Sequence, residues 1–147
     1  MHIHYISEQN SILNHFLAQI RDVNIQKDSM RFRKNIERIG EIMAYELSKT
    51  LDYKEIDVQT PLGIKHTTTI AEPVVLCSIL RAGLALHQGF MSFFDNAENG
   101  FVSAYRHHYD NDDKFEILVE YQAAPSFEGK NLILIDPMLA TGQSLVA

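Results

Sequence analysis

The sequence is short of the features that would place it outside ordinary globular proteins. It has one cysteine, Cys77, so no internal disulfide can form, which fits a reducing compartment. Seven glycines and four prolines in 147 residues exclude a collagen-like or low-complexity chain. No apolar run approaches the roughly 20 residues that a membrane-spanning helix needs. The first residues, MHIHYIS, lack the basic start and apolar core of a secretory signal. Basic residues are scarce too: 13 Lys and Arg against 19 Asp and Glu leave a net charge of −6. Non-specific binders of nucleic acid or anionic membrane carry the opposite sign, so that role is disfavoured. Repeats and Gly/Ser/Pro-rich linkers are absent as well. What is present, 46% hydrophobic and 22% charged residues, reads as a single cytoplasmic domain over residues 1–147.

Hydrophobic spacing divides the chain. From about Glu8 to Arg21, Ile12, Leu13, Phe16, Leu17 and Ile20 recur at helical intervals. Phe32, Ile36, Ile39, Met43 and Leu47 form the stripe of a second helix, with Asp28 or Ser29 as its cap. The period then shortens. Lys54–Gln59 and Ile64–Ile70 predict two strands around a Thr60-Pro61-Leu62-Gly63 turn, a hairpin arm. Pro73–Leu80 and Asn131–Ile135 are almost continuously apolar, the mark of strands covered on both faces. A helix is predicted from Gly83 to about Phe94, and further strands at Gly100–Tyr105 and Phe115–Tyr121. The order argues for an α/β fold with a mostly parallel sheet flanked by helices, preceded by a helical pair and a β-arm.

In such a sheet, ligands bind at the carboxyl ends of the strands. Three ends carry polar residues: Leu80-Arg81-Ala82-Gly83, Tyr105-Arg106, and Asp136-Pro137-Met138-Leu139-Ala140-Thr141-Gly142-Gln143-Ser144. The last follows a buried strand with a glycine and two hydroxyls. Gly142 allows close backbone approach, and amides from Thr141 to Ser144 at a helix start suit a phosphate group. The Gly-Lys-Ser/Thr ending of the nucleoside-triphosphate loop is missing. Asp136 suits sugar hydroxyls as a hydrogen-bond acceptor.

DPMLATGQS (136–144) resembles the phosphoribosyl-pyrophosphate (PRPP) loop of uracil phosphoribosyltransferases, commonly DPMLATGGS. SILRAGLAL (78–86) is similar to a second signature of that family, and Tyr105-Arg106 to a third. Weaker similarity runs through LAQIRD (17–22), Phe32-Arg33, AYELSKTL (44–51) and TPLG (60–63), so it covers nearly the whole chain. The resemblance implies a type I phosphoribosyltransferase fold and formation of UMP and pyrophosphate from uracil and PRPP. Arg81 and Arg106 would contact the pyrophosphate. Asp136 would hold the ribose, and Pro137, Met138, Leu139, Ala140, Thr141, Gly142, Gln143 and Ser144 would complete the PRPP site. Mg²⁺ would be held through PRPP, no covalent nucleophile is implied, and a homodimer or larger assembly is expected with no nucleic-acid or membrane partner. GTP activates some relatives.

The sequence departs from the family pattern at Gln143, which replaces a glycine, and at His107 and His108, one of which stands where an acidic residue is usual. The chain stops at Ala147, before the family's uracil-recognising segment. The C-terminal part is therefore expected to be missing, and the chain as it stands to form no UMP. The alternatives are an RNA-binding regulator on the same fold, or an inactive fragment that only dimerises. Arg31, Arg33, Lys34 and Arg38 are the densest basic cluster and read as a solvated helix face. His2 and His4 read as solvated, as do His107 and His108 in a loop. Asp110–Asp113 lacks the glycine of a calcium loop. Cys77 reads as core. Ser144 lacks the flanking pattern of a hydrolase nucleophile. Phe90, Phe93 and Phe94 read as core or subunit interface.

Overall fold

Apolar residues at intervals of three and four become two helices, α1 (Ile12–Arg21) and α2 (Ser29–Ser48), in a computed structural model. The structure describes residues 2–108 and 115–138, with side chains for 2–103 and 121–138. Helix α1 starts later than its pattern suggests because Ser11 caps it, accepting from the Leu13 N–H at 3.3 Å. Asp28 caps α2 in the same way through the Arg31 N–H at 3.0 Å. That contact with the backbone, more than the Arg31 charge, holds the Asp28 carboxyl below the ordinary carboxylate value.

Strands β1 (Tyr53–Thr60) and β2 (Gly63–Ile70) form a separate antiparallel arm. At its tip Gly63 takes φ 135°, and the Thr60 hydroxyl donates to the Gly63 carbonyl at 2.7 Å. The remaining strands are β3 (Val74–Leu80), β4 (Glu98–His108), β5 (Phe115–Ala123) and β6 (Asn131–Ile135), with helix α3 (Leu84–Met91) after β3. They form one sheet in the order β5-β4-β3-β6. β3 pairs in parallel with both β4 and β6, whereas β4 and β5 are antiparallel. The sheet is thus mixed. The reason is the connection: only residues 109–114 separate β4 from β5, too few for a parallel crossover.

β3 is the central strand and is buried along Val74–Ile79. Val74, Leu76, Ile133 and Ile135 join Leu86, Phe90, Phe94, Leu13, Ile39 and Ala44 in the core. On the other face Cys77 lies beneath Gly100, where Ala124 also approaches. Burial raises the Cys77 thiol above its ordinary value, as expected for a packing residue. Phe90 and Phe94 are core while Phe93 is half exposed. Phe32 stays at the surface, outside its predicted stripe. Arg38 also departs from the solvated face: it covers the Phe16 ring at 5.2 Å and donates to Asn35 at 3.2 Å.

Candidate active site

Strand register brings Arg81, Arg106 and Asp136, of the predicted site residues, to one edge. Ser78 of β3 is opposite Ile135 of β6, and Leu80 is opposite Ser103 of β4. Because these three strands are parallel, all end on the same side of the sheet. Arg81 follows the middle strand. Asp136 follows its neighbour on one side, and Tyr105-Arg106 lies on the other, two and three residues past Ser103. Arg106 does not terminate β4 as the sequence reading had it. It lies within the strand opposite Ile117, and His107 and His108 also belong to β4, because antiparallel pairing with β5 extends the strand.

Arg81 is exposed in a tight turn. The Leu80–Arg81 peptide is cis. The Gly83 N–H donates to the Ile79 carbonyl at 2.9 Å, and the Leu84 N–H to the Arg81 carbonyl at 3.3 Å. Gly83 has an ordinary φ of −65°; its smallness matters for another reason. A Cβ there would stand 2.7 Å from the Ile79 carbonyl oxygen and 3.1 Å from that of Ile135. The two turns that carry Arg81 and Asp136 therefore pack directly against each other.

On the Asp136 side, the carboxylate Oδ1 accepts from the Met138 N–H at 3.3 Å across Pro137, an Asx turn. Met138 is largely exposed. A cavity of about 270 Å³ adjoins this turn, lined among others by Asp136, Pro137, Leu86 and Tyr5. A larger hollow of about 580 Å³, against Ile42, Glu46 and Lys49, contains none of the predicted site residues. Leu139, Ala140, Thr141, Gly142, Gln143 and Ser144 lie outside the described residues.

Behind the Arg81 turn is a polar cluster that sequence reasoning missed. His87 is 3% exposed; its Nδ1 is 2.6 Å from the Ser78 hydroxyl and its Nε2 is 2.8 Å from Asn99 Oδ1. Asn99 Nδ2 donates to the Ala97 carbonyl at 3.3 Å, which turns its oxygen toward His87. Nε2 therefore carries the proton, and neutral Nδ1 accepts from Ser78. Burial pushes the imidazole below its ordinary value of 6.5, against the opposing hydrogen bond to Asn99. Two signals were available in the sequence: Ser78 is the polar residue of an apolar strand, and His87 falls in the buried stripe with Gly83, Leu86 and Phe90.

Three parallel strands ending on one side of a mixed sheet, with a hairpin arm, define an α/β protein of phosphoribosyltransferase-like fold. In fold the chain is similar to a hypoxanthine phosphoribosyltransferase from Staphylococcus aureus, with TM-score 0.52 and 17% identity over 78% of this chain and 53% of that one. It is also similar to the AQ2163 protein from Aquifex aeolicus, with TM-score 0.78 and 30% identity over 94% of this chain and 64% of that one. The profile of the family Uracil phosphoribosyltransferase matches residues 6–147. A uracil phosphoribosyltransferase from Porphyromonas gingivalis is 49% identical over 145 residues, 99% of this chain and 67% of the relative. One from Methanothermobacter thermautotrophicus is 37% identical, over 93% of this chain and 62% of the relative. The chain belongs to the uracil phosphoribosyltransferase family, and it spans about two thirds of the length of these relatives.

Proposed function

We propose that the shared carboxyl edge of β3, β4 and β6 binds PRPP, as part of an enzyme that transfers its phosphoribosyl group to uracil. The carrying observation is the convergence of the Arg81 and Asp136 turns, locked by Ser78 beside Ile135 and by the close packing of Gly83. In this reading Arg81 and Arg106 neutralise the pyrophosphate, and Asp136 accepts from the ribose hydroxyls. Pro137, Met138, Leu139 and Ala140 lead into Thr141–Ser144, whose amides and hydroxyls hold the 5′-phosphate. Mg²⁺ arrives with PRPP as part of the substrate.

The chemistry follows from those roles. The bond from ribose C1 to the pyrophosphate oxygen breaks, the uracil N1–C1 bond forms, and the N1 proton passes to the departing pyrophosphate or to water. Positive charge develops on the sugar as the anionic group departs, so neutralising pyrophosphate lowers the barrier. Fixing the ribose and both phosphate ends keeps the displacement in line. No side chain has to bond to the sugar.

The enzyme works in the cytoplasm as a homodimer or larger assembly in this reading. The arm supports a contact between copies, since Leu62 at its tip is 99% exposed and Ile64 63% exposed. Among the described residues, no helix is long and apolar enough to cross a membrane. Calorimetric titration of the 147-residue chain with PRPP and Mg²⁺ tests the site. Saturable one-to-one binding is expected, and absence of binding at millimolar PRPP overturns the reading.

A further inference from the structure

We propose that His87 is a positioning residue for the Arg81 turn, holding it in the shape that receives pyrophosphate. The inference rests on the PRPP reading of this edge. The close of the turn is held by the main chain of α3, where the His87 N–H donates to the Gly83 carbonyl at 2.8 Å whatever the side chain. The imidazole of His87 holds the other end: its Nδ1 accepts from the Ser78 hydroxyl at 2.6 Å, two residues before Leu80 at the turn's start. Nε2 reaches across to Asn99 on β4 at 2.8 Å, so one imidazole joins β3, α3 and β4. The ring also lies against Phe101, with centroids 4.9 Å apart.

Packing alone does not call for such a residue. Ser78 is fully buried and His87 nearly so, and burying polar groups costs stability unless each is hydrogen-bonded. Leucine would fill similar space at that point of the core without this cost. What the triad adds is direction: its hydrogen bonds fix the path of the chain leading into Leu80–Gly83, where apolar contacts tolerate sliding. The turn so fixed carries Arg81, exposed and facing no described structural duty. The Asp136 turn has its own support in the Met138 N–H contact, so loosening the triad acts on one end of the ligand.

That asymmetry supplies the test. The 147-residue chain and its His87→Leu variant are titrated by calorimetry with pyrophosphate, PRPP and ribose 5-phosphate, each with Mg²⁺. His87→Leu is expected to weaken pyrophosphate and PRPP by roughly tenfold, the cost of losing a hydrogen-bonded anchor. Ribose 5-phosphate affinity is expected to stay within about twofold, a split that general destabilisation would not produce. His87→Gln, which keeps a polar group in place, restores part of the pyrophosphate affinity. Ser78→Ala cuts the same link with a smaller change and gives the same pattern if His87→Leu does not fold. Unchanged pyrophosphate affinity in either folded variant, or an equal fall for ribose 5-phosphate, overturns the proposal. A wild-type chain that binds none of the three ligands overturns the PRPP reading itself, and this inference with it.

Discussion

Gly89 of α3 lies directly against Gly40 of α2. A Cβ on Gly89 would stand 2.9 Å from the Gly40 Cα and 2.1 Å from the Glu37 carbonyl oxygen. The two helices therefore meet backbone to backbone, and α3, which begins at the Arg81 turn, is seated by that contact. Gly89→Ala should destabilise the fold by roughly 1–3 kcal/mol or more, because the obstructing atoms are main chain and cannot rotate away. Urea denaturation checks this. A gain in stability, as helix propensity alone would give, would show that the helices do not cross this closely.

The core beneath α3 is sensitive to volume. Phe90 is 2% exposed and belongs to the cluster with Leu86, Leu76 and Ile135. Phe90→Ala is expected to cost about 3–5 kcal/mol, measured by the same denaturation. Phe93→Ala, at a position 51% exposed, should change stability by less than about 1 kcal/mol.

His87 predicts a pH dependence with a definite sign. Its imidazole is held below the ordinary 6.5 by burial, so between the folded value and 6.5 the unfolded chain binds more protons. Stability rises with pH in that window. The contribution is complete above about 6.5 and is lost as pH falls through the folded value. Thermal melts of wild type and His87→Leu from pH 7.5 to 5.5 should show the wild type losing more on acidification. Parallel curves would mean that His87 is not held neutral.

The two arginines should matter for ligand, and Arg81 should not matter for the fold. Arg81 is exposed in its turn, so Arg81→Ala should leave the melting temperature nearly unchanged. It should weaken PRPP binding roughly 10- to 100-fold, the range for a lost charge-assisted hydrogen bond. Arg106→Ala is expected to weaken PRPP as well. Unchanged affinity in either variant removes that residue from the site.

Local pattern made much of this legible. The cap of α2 was readable to within one position, Asp28 or Ser29, because both can accept a free first-turn N–H, and Asp28 is the one that does. Thr60–Gly63 was readable as the turn of the arm because Gly63 is needed for positive φ. The sheet's antiparallel pair was less legible: an apolar run announces a strand but not its direction. Arg106 looked like a strand end because strand pairing, which carries β4 on to His108, leaves no mark in hydropathy. The pairing of Ser78, His87 and Asn99 was not legible for a related reason: Ser78 and His87 each stood out in its own element, but the three are spread over three elements.

The sequence by itself determined most of the elements and the family, and it named the residues proposed here for PRPP. Those follow from short-range periodicity and motif composition, in which each residue is read beside its neighbours in the chain. The tertiary structure decided what lies beside what. Parallel register set Ser78 next to Ile135, the absence of a side chain let Gly83 close against both turns, and burial turned His87 into a neutral tether. Each depends on how separate elements pack against one another, which the local pattern along the chain does not record.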